Sequence, residues 1–319
     1  MNFIEKDQQE NSLYIKEENS PYLQFLMLLA YCILGFIVSS ILAVVFIYAI
    51  YGAESLTEMM TLNAGGTVNR GALQILLIVT SLGFFLAPPL LLAITEHKSP
   101  ASFYGLKSPD AKLLAVIFLI MLVSMPLMEL TATLNQKMVL PEFLKPIEQW
   151  MKNKEDEAMQ TTLLLLKMNS MKELLMNLFM IALLPAVAEE LMFRGGVQRT
   201  FTRWFNNPHV AIWTSAIIFS AIHMQFYGFL PRLLLGAGFG YIYYFSGNLW
   251  YAMLGHFLNN AYAVSTAWYM QKNNIPLSAT DSPVNIAWYG YVISFILTIM
   301  TFIYFKNINK KEYHERRMD

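Results

Sequence analysis

Glu189, Glu190 and Arg194 stand at the end of a long apolar run, just before Gly195-Gly196. Ionisable side chains are expensive at membrane depth, and where they persist they face a partner or a cavity. Glu190 and Arg194 are four apart, acid before base, so one helical face holds them as an ion pair. Glu189 is rotated by about 100° and is left without that partner. The plainer reading makes both glutamates a marker of the helix end. Carboxylates at a helix C-terminus oppose the macrodipole, however, and the objection lifts if the helix runs on to about residue 203. Phe219 and His223 share a face at i, i+4. A lone histidine on an apolar helix also serves simply as a hydrogen bond to a neighbouring helix. His256 and Asn260 share a second face, with Asn259 beside it. An imidazole and an amide there can donate hydrogen bonds to one point, or act as polar glue between helices.

The elements that must carry these groups are membrane helices. Charged residues make up 14% of the 319 and hydrophobic ones 56%, against about 25% charged in a soluble domain. The expected fold class is all-α, a polytopic membrane helix bundle. Zero net charge gives no footprint for nucleic acid. The single cysteine, Cys32, lies in an apolar run and makes neither a disulfide framework nor a cysteine metal site. The methionines read as packing and lipid-facing residues rather than a copper site.

A span needs about 20 apolar residues. Eight are expected: 22–53; 71–95, with Pro88-Pro89 kinking or ending it; 113–128; one from about 174 into the glutamate pair; one from about 209, after "NNP"; about 231–245; 249–269; and 286–305. The chain divides into a polar tail (1–21, with no cleaved signal expected), three N-terminal spans (22–130), an extramembrane or interfacial amphipathic segment (131–173), a core (174–269), a loop and last span (270–305) and a basic tail (306–319). Within 131–173 the amphipathic piece is placed at about 161–173. Lys98, Lys107, Lys112, Arg199, Arg203 and the basic tail all fall on one side, which the positive-inside rule makes cytoplasmic, together with both termini. No internal repeat is visible, which weakens an inverted-repeat transporter. Straight-helix arithmetic puts Glu189 about 27 Å and His223 about 24 Å from the turn at Asn207, but His256 only about 12 Å from Asn248. His256 therefore matches in depth only if 195–207 reaches beyond the membrane face.

Three motifs in order, EExxxR (Glu189-Glu190…Arg194), FxxxH (Phe219…His223) and HxxxN (His256…Asn260), resemble those of the CPBP family of CAAX proteases and bacteriocin-processing (Abi) enzymes, which includes the type II CAAX prenyl endopeptidases. The flanking "FRGGVQ" and "GNLWYAMLGHFLNN" also fit, and the resemblance covers about residues 174–265. It implies intramembrane hydrolysis of a peptide bond in a membrane-anchored peptide or protein, within the lipid bilayer of, by family breadth, a bacterial plasma membrane. On the family's glutamate-protease scheme Glu189 activates water, His223 holds it, and His256 with Asn260 donates to the carbonyl oxygen. Glu190, Arg194 and Phe219 support them. This scheme needs no cofactor and is favoured here. The alternative is zinc held by Glu189, His223 and His256, a hydrolase ligand set that here lacks an HExxH motif. A non-catalytic scaffold, immunity factor or transporter on the same fold is the competing class.

Overall fold

A computed structural model describes residues 18–60, 69–277 and 286–315. The N-terminal tail up to residue 17, residues 278–285 of the 270–285 loop and Arg316 and Arg317 of the basic tail lie outside the described residues. All regular elements among those described are helical. They are α1 (Pro21–Met60), α2 (Arg70–Thr95), the short α3 (Pro100–Tyr104), α4 (Ala111–Gln136), α5 (Lys145–Leu166), α6 (Met171–Phe205), α7 (Pro208–Ala221), α8 (Phe229–Ser246), α9 (Leu249–Lys272) and α10 (Trp288–Glu315). The protein is an all-α membrane bundle.

Local chemistry sets the helix ends. Asn69, Asp110, Asn207 and Asn248 each accept from backbone N–H groups of the first turn that follows, donors that would otherwise lack partners. Asn206 and Gly247 close α6 and α8 in the left-handed conformation. Ser170 and Glu173 form a reciprocal capping box that starts α6. The amphipathic piece expected at 161–173 is therefore two pieces: its first half ends α5, and the capping box opens a new helix at Met171. Pro88-Pro89 neither ends nor breaks α2. A π-turn over Leu82–Leu86 precedes them, so they sit in the first turn of the α-helical segment that follows, where a missing N–H is least costly.

Five helices are long and apolar enough to cross a membrane: α1, α2, α4, α6 and α10. The other three expected spans are α7, α8 and α9. They miss that measure because α7 has only 14 residues and α8 and α9 carry Arg232, His256, Asn259 and Asn260. Burial sorts the bundle into layers. The most apolar window of α10 is 11% buried and that of α1 17%, whereas that of α6 is 44% buried. With lipid as solvent, α1 and α10 form the wall and α6 the axis. Every residue from Leu191 to Gln198 is buried. Close backbone approach permits this. A Cβ on Gly240 of α8 would lie 2.6 Å from Gln198 Oε1 of α6.

Candidate active site

α6 carries the glutamates on a short α-helical piece, Leu184–Glu190, between two π-turns, Leu178–Leu183 and Leu191–Gln198. π-turns inside helices are rare and concentrate at functional sites. The second keeps Glu190 and Arg194 on one face. Arg194 Nη1 donates to Glu190 Oε1 at 2.6 Å, with the two side chains 1% and 0% exposed. The expected ion pair is therefore present and fully desolvated. Arg194 Nη2 donates to Gly236 O of α8 at 2.9 Å. The guanidinium centre lies 4.8 Å from the Phe219 ring and 5.5 Å from the Phe239 ring, a cation–π arrangement on both.

His256 of α9 comes to the same level. Its Nδ1 is 2.8 Å from the Glu190 Oε1 that also accepts from Arg194, and its Nε2 is 3.9 Å from Glu189 Oε2. The depth mismatch computed from straight helices is thus absent. The turn at Asn248 is itself buried, with Asn248 Nδ2 donating to Lys107 O, whereas Trp204–Asn207 is exposed, so the two turns are not equivalent starting points for that arithmetic. Phe239 stacks on His256 at 5.5 Å and 13°, and Phe219 meets it edge-on at 6.0 Å.

His223 packs edge-on against the same Phe219 ring at 5.0 Å, and its Nδ1 lies 2.8 Å from Phe219 O. A carbonyl only accepts, so Nδ1 carries the proton and Nε2 is the free nitrogen. The same logic fixes His256, because Glu190, paired with Arg194, accepts from its Nδ1–H. Both imidazoles therefore present Nε2. Glu189 is the less buried carboxylate, 13% exposed. Arg194 is taken by Glu190, so Glu189 is without that partner; His256 Nε2 lies beside it at 3.9 Å, too far for a direct hydrogen bond. Asn260 Nδ2 donates to Ile181 O in the first π-turn at 3.1 Å, and its Oδ1 accepts from Asn259 Nδ2 at 3.1 Å. One of its N–H groups is thus already used.

Glu189, Glu190, Arg194, Phe219, His223 and His256 form one contiguous cluster, with Asn260 bonded to α6 one turn beyond His256. Among the described residues no three His, Cys, Asp or Glu side chains gather as a metal site. His256 turns Nε2 towards Glu189 and bonds Glu190 through Nδ1, an orientation that a metal-ligating histidine backed by a carboxylate also has.

Several supporting groups carried no motif. Gly236 and Phe239 of α8 receive and cover Arg194. Ser215 Oγ donates to Phe193 O at 3.0 Å in the second π-turn, and Gln198 Nε2 donates to Gly240 O at 3.0 Å. The GxxxG spacing of Gly236 and Gly240 was the available signal for this close approach. The turn bearing His223 is pinned from outside: Asn135 Oδ1 accepts from Leu230 N at 2.7 Å and Glu155 Oε2 from Tyr227 N at 3.0 Å. Arg232 Nε and Nη2 donate to Gly228 O and Gln225 O, each at 3.2 Å. Glu129 lines a cavity of about 740 Å³ between α4, α8 and α9, with Asn259 on its wall.

The comparisons fall on this part of the chain. The family model described as type II CAAX prenyl endopeptidase Rce1-like matches residues 171–262. The uncharacterized protein YpbD of Bacillus subtilis (strain 168) is 30% identical over 89 residues, 27% of this chain and 42% of that protein. No solved structure gives a significant match. The segment that carries every group of the cluster, from Glu189 to Asn260, is the one that matches the Rce1-like family of type II CAAX prenyl endopeptidases.

Proposed function

We propose that the chain is an intramembrane endopeptidase, CAAX-protease-like, that hydrolyses a peptide bond in a membrane-anchored peptide or protein. One observation carries this reading. Glu190 is consumed by Arg194 and His256, whereas the adjacent Glu189 keeps an open face beside an imidazole nitrogen at 3.9 Å. A carboxylate and a lone-pair nitrogen at that separation can hold one water between them. Glu189 takes a proton from that water as its oxygen attacks the peptide carbonyl, and the proton passes to the departing amine. His223, packed on the same Phe219 ring, offers its Nε2 as a further acceptor at the edge of the site. The second N–H of Asn260 donates to the carbonyl oxygen as negative charge develops there. Glu190 fixes the tautomer of His256 and Arg194 neutralises Glu190, so neither touches the reacting atoms.

The plasma membrane of a bacterium, with both termini cytoplasmic, is the proposed setting. The test uses the full chain in lipid nanodiscs, a membrane-anchored peptide carrying a fluorogenic bond, and mass spectrometry for new peptide termini. Glu189→Gln is expected to lower turnover by roughly 10²–10⁴-fold, the usual weight of a general base. Wild-type turnover in that variant would overturn the assignment. Bound zinc at one per chain, with turnover lost on chelation, would replace the glutamate scheme by the metal one. Transport without new termini would indicate the non-catalytic class.

A further inference from the structure

Three of the cations that the positive-inside rule places on one side converge on a single point, away from the carboxylate–histidine cluster. Glu18, just ahead of α1, lies 2.7 Å from Lys98 Nζ, 2.7 Å from Arg199 Nη2 and 3.0 Å from Arg203 Nη1. The neighbouring Glu96 does not share this load. It accepts from Asn19 N at 2.9 Å and Asn19 Nδ2 at 3.1 Å. One carboxylate thus faces three cations. Arg199 is stacked 3.9 Å over the Phe103 ring, and its Nη1 is buried with no partner among the described residues. An unpaired buried donor on a charged group is costly.

Beside this knot lies an open polar cavity of about 440 Å³, lined by Glu18, Lys98, Arg199, His97, Ser99 and Ser102. Ser99 Oγ accepts from Ser102 N, which leaves its O–H free to donate. The loop that presents Lys98 and Ser99 is strained: His97 adopts φ 58°, a conformation uncommon outside glycine and enriched at ligand clamps. The cavity therefore combines two cations, a free hydroxyl donor and room.

We propose that this cavity binds an anionic phosphate group, gripped by Arg199 and Lys98 with the Ser99 hydroxyl as a further donor, in competition with Glu18. Guanidinium and ammonium groups suit phosphate because its several oxygens accept charge-assisted bonds together. The phosphate comes from the headgroup of an anionic phospholipid or from free phosphate in solution, and the experiment separates the two. Full-length protein in phosphatidylcholine nanodiscs is titrated below its melting temperature with inorganic phosphate, and in parallel with phosphatidylglycerol, with bound ligand read by native mass spectrometry. Phosphatidylglycerol bound and inorganic phosphate not bound identifies the headgroup; the reverse identifies the free ion; binding of both identifies a general phosphate site. In each supporting case Lys98→Gln weakens binding by roughly tenfold through loss of one charge-assisted bond, and Glu18→Gln tightens it. The opposite signs separate ligand contact from fold damage, which would weaken both. No binding of either probe, phosphatidylcholine held as tightly as phosphatidylglycerol, or both variants shifting the same way would overturn the proposal. None of these outcomes depends on peptidase activity.

Discussion

The adjacent glutamates should respond to mutation in opposite ways, and Arg194 shows why. Arg194→Met removes the partner of a carboxylate that is 0% exposed. Breaking a buried pair from one side costs about 3–5 kcal/mol, because a charge is left unpaired in a low-dielectric site. The Gly236 carbonyl loses its donor as well, which adds about 1–3 kcal/mol if nothing replaces it. The two losses are coupled, so about 5 kcal/mol is the working figure, a large share of a typical stability of about 5–15 kcal/mol. At about 2 °C per kcal/mol for a chain of this size, the melting temperature should fall by roughly 10 °C. Cys32 is the only cysteine and is buried, so a thiol-reactive dye reports unfolding without added labels. Glu190→Gln combined with Arg194→Met removes both charges and should recover at least about 2 kcal/mol relative to Arg194→Met alone, the signature of direct coupling. Glu189→Gln should melt with the wild type, since Glu189 has no hydrogen bond among the described residues and the His256 Nε2 beside it is 3.9 Å away. If Arg194→Met melts within about 2 °C of wild type, or the double variant is no more stable than the single one, the buried-pair reasoning fails.

Two further perturbations test the frame around the cluster. Gly240→Ala places a methyl 2.6 Å from Gln198 Oε1 and 2.9 Å from Ile212 Cγ2; it should destabilise by about 1–3 kcal/mol, read by the same dye assay, and a neutral result would mean that α6 and α8 are not in close backbone contact. Burial alone would push the Glu18 carboxyl up, but hydrogen bonds from Arg199 and Lys98 outweigh it and lower it to about 2 from 4.5. The folded state thus prefers the ionised form, so its stabilisation is full above the unfolded value and disappears as pH falls from about 4.5 to about 2. The melting difference between wild type and Glu18→Gln should shrink across that window, and a constant difference would contradict the ion-pair account.

What could be read in the sequence divides by physical cause. The i, i+4 spacings of Glu190 with Arg194, Phe219 with His223 and His256 with Asn260 are properties of one helix each, and a linear pattern carries them. The level at which His256 meets Glu189 was not legible, because His256 is contributed by α9, whose depth depends on where the turn at Asn248 sits. That turn is buried under the segment around Lys107, a tertiary fact with no local signature. Gly236 was missed for another reason: Arg194 bonds its backbone carbonyl, and a carbonyl is present at every residue. The start of α6 was legible and passed over, since Ser170 and Glu173 have capping-box spacing.

The two π-turns of α6 join these observations. Each leaves a carbonyl available to a neighbouring helix. Asn260 of α9 donates to Ile181 O in the first π-turn, and Ser215 of α7 donates to Phe193 O in the second. α7 and α9 are the helices that bring His223 and His256. The polar residues beside the histidines therefore hold two helices at the depth where the short Leu184–Glu190 piece presents its carboxylates. A purely structural reading accounts for Asn260, Ser215 and Arg194, which have their partners, and for Glu190 Oε1, although Glu190 Oε2 is buried with no hydrogen bond among the described residues. It does not account for Glu189, a carboxylate with no hydrogen bond among the described residues, or for the free Nε2 of His223 and of His256. Glu189 and the two Nε2 atoms are the groups on which the proposed hydrolysis rests.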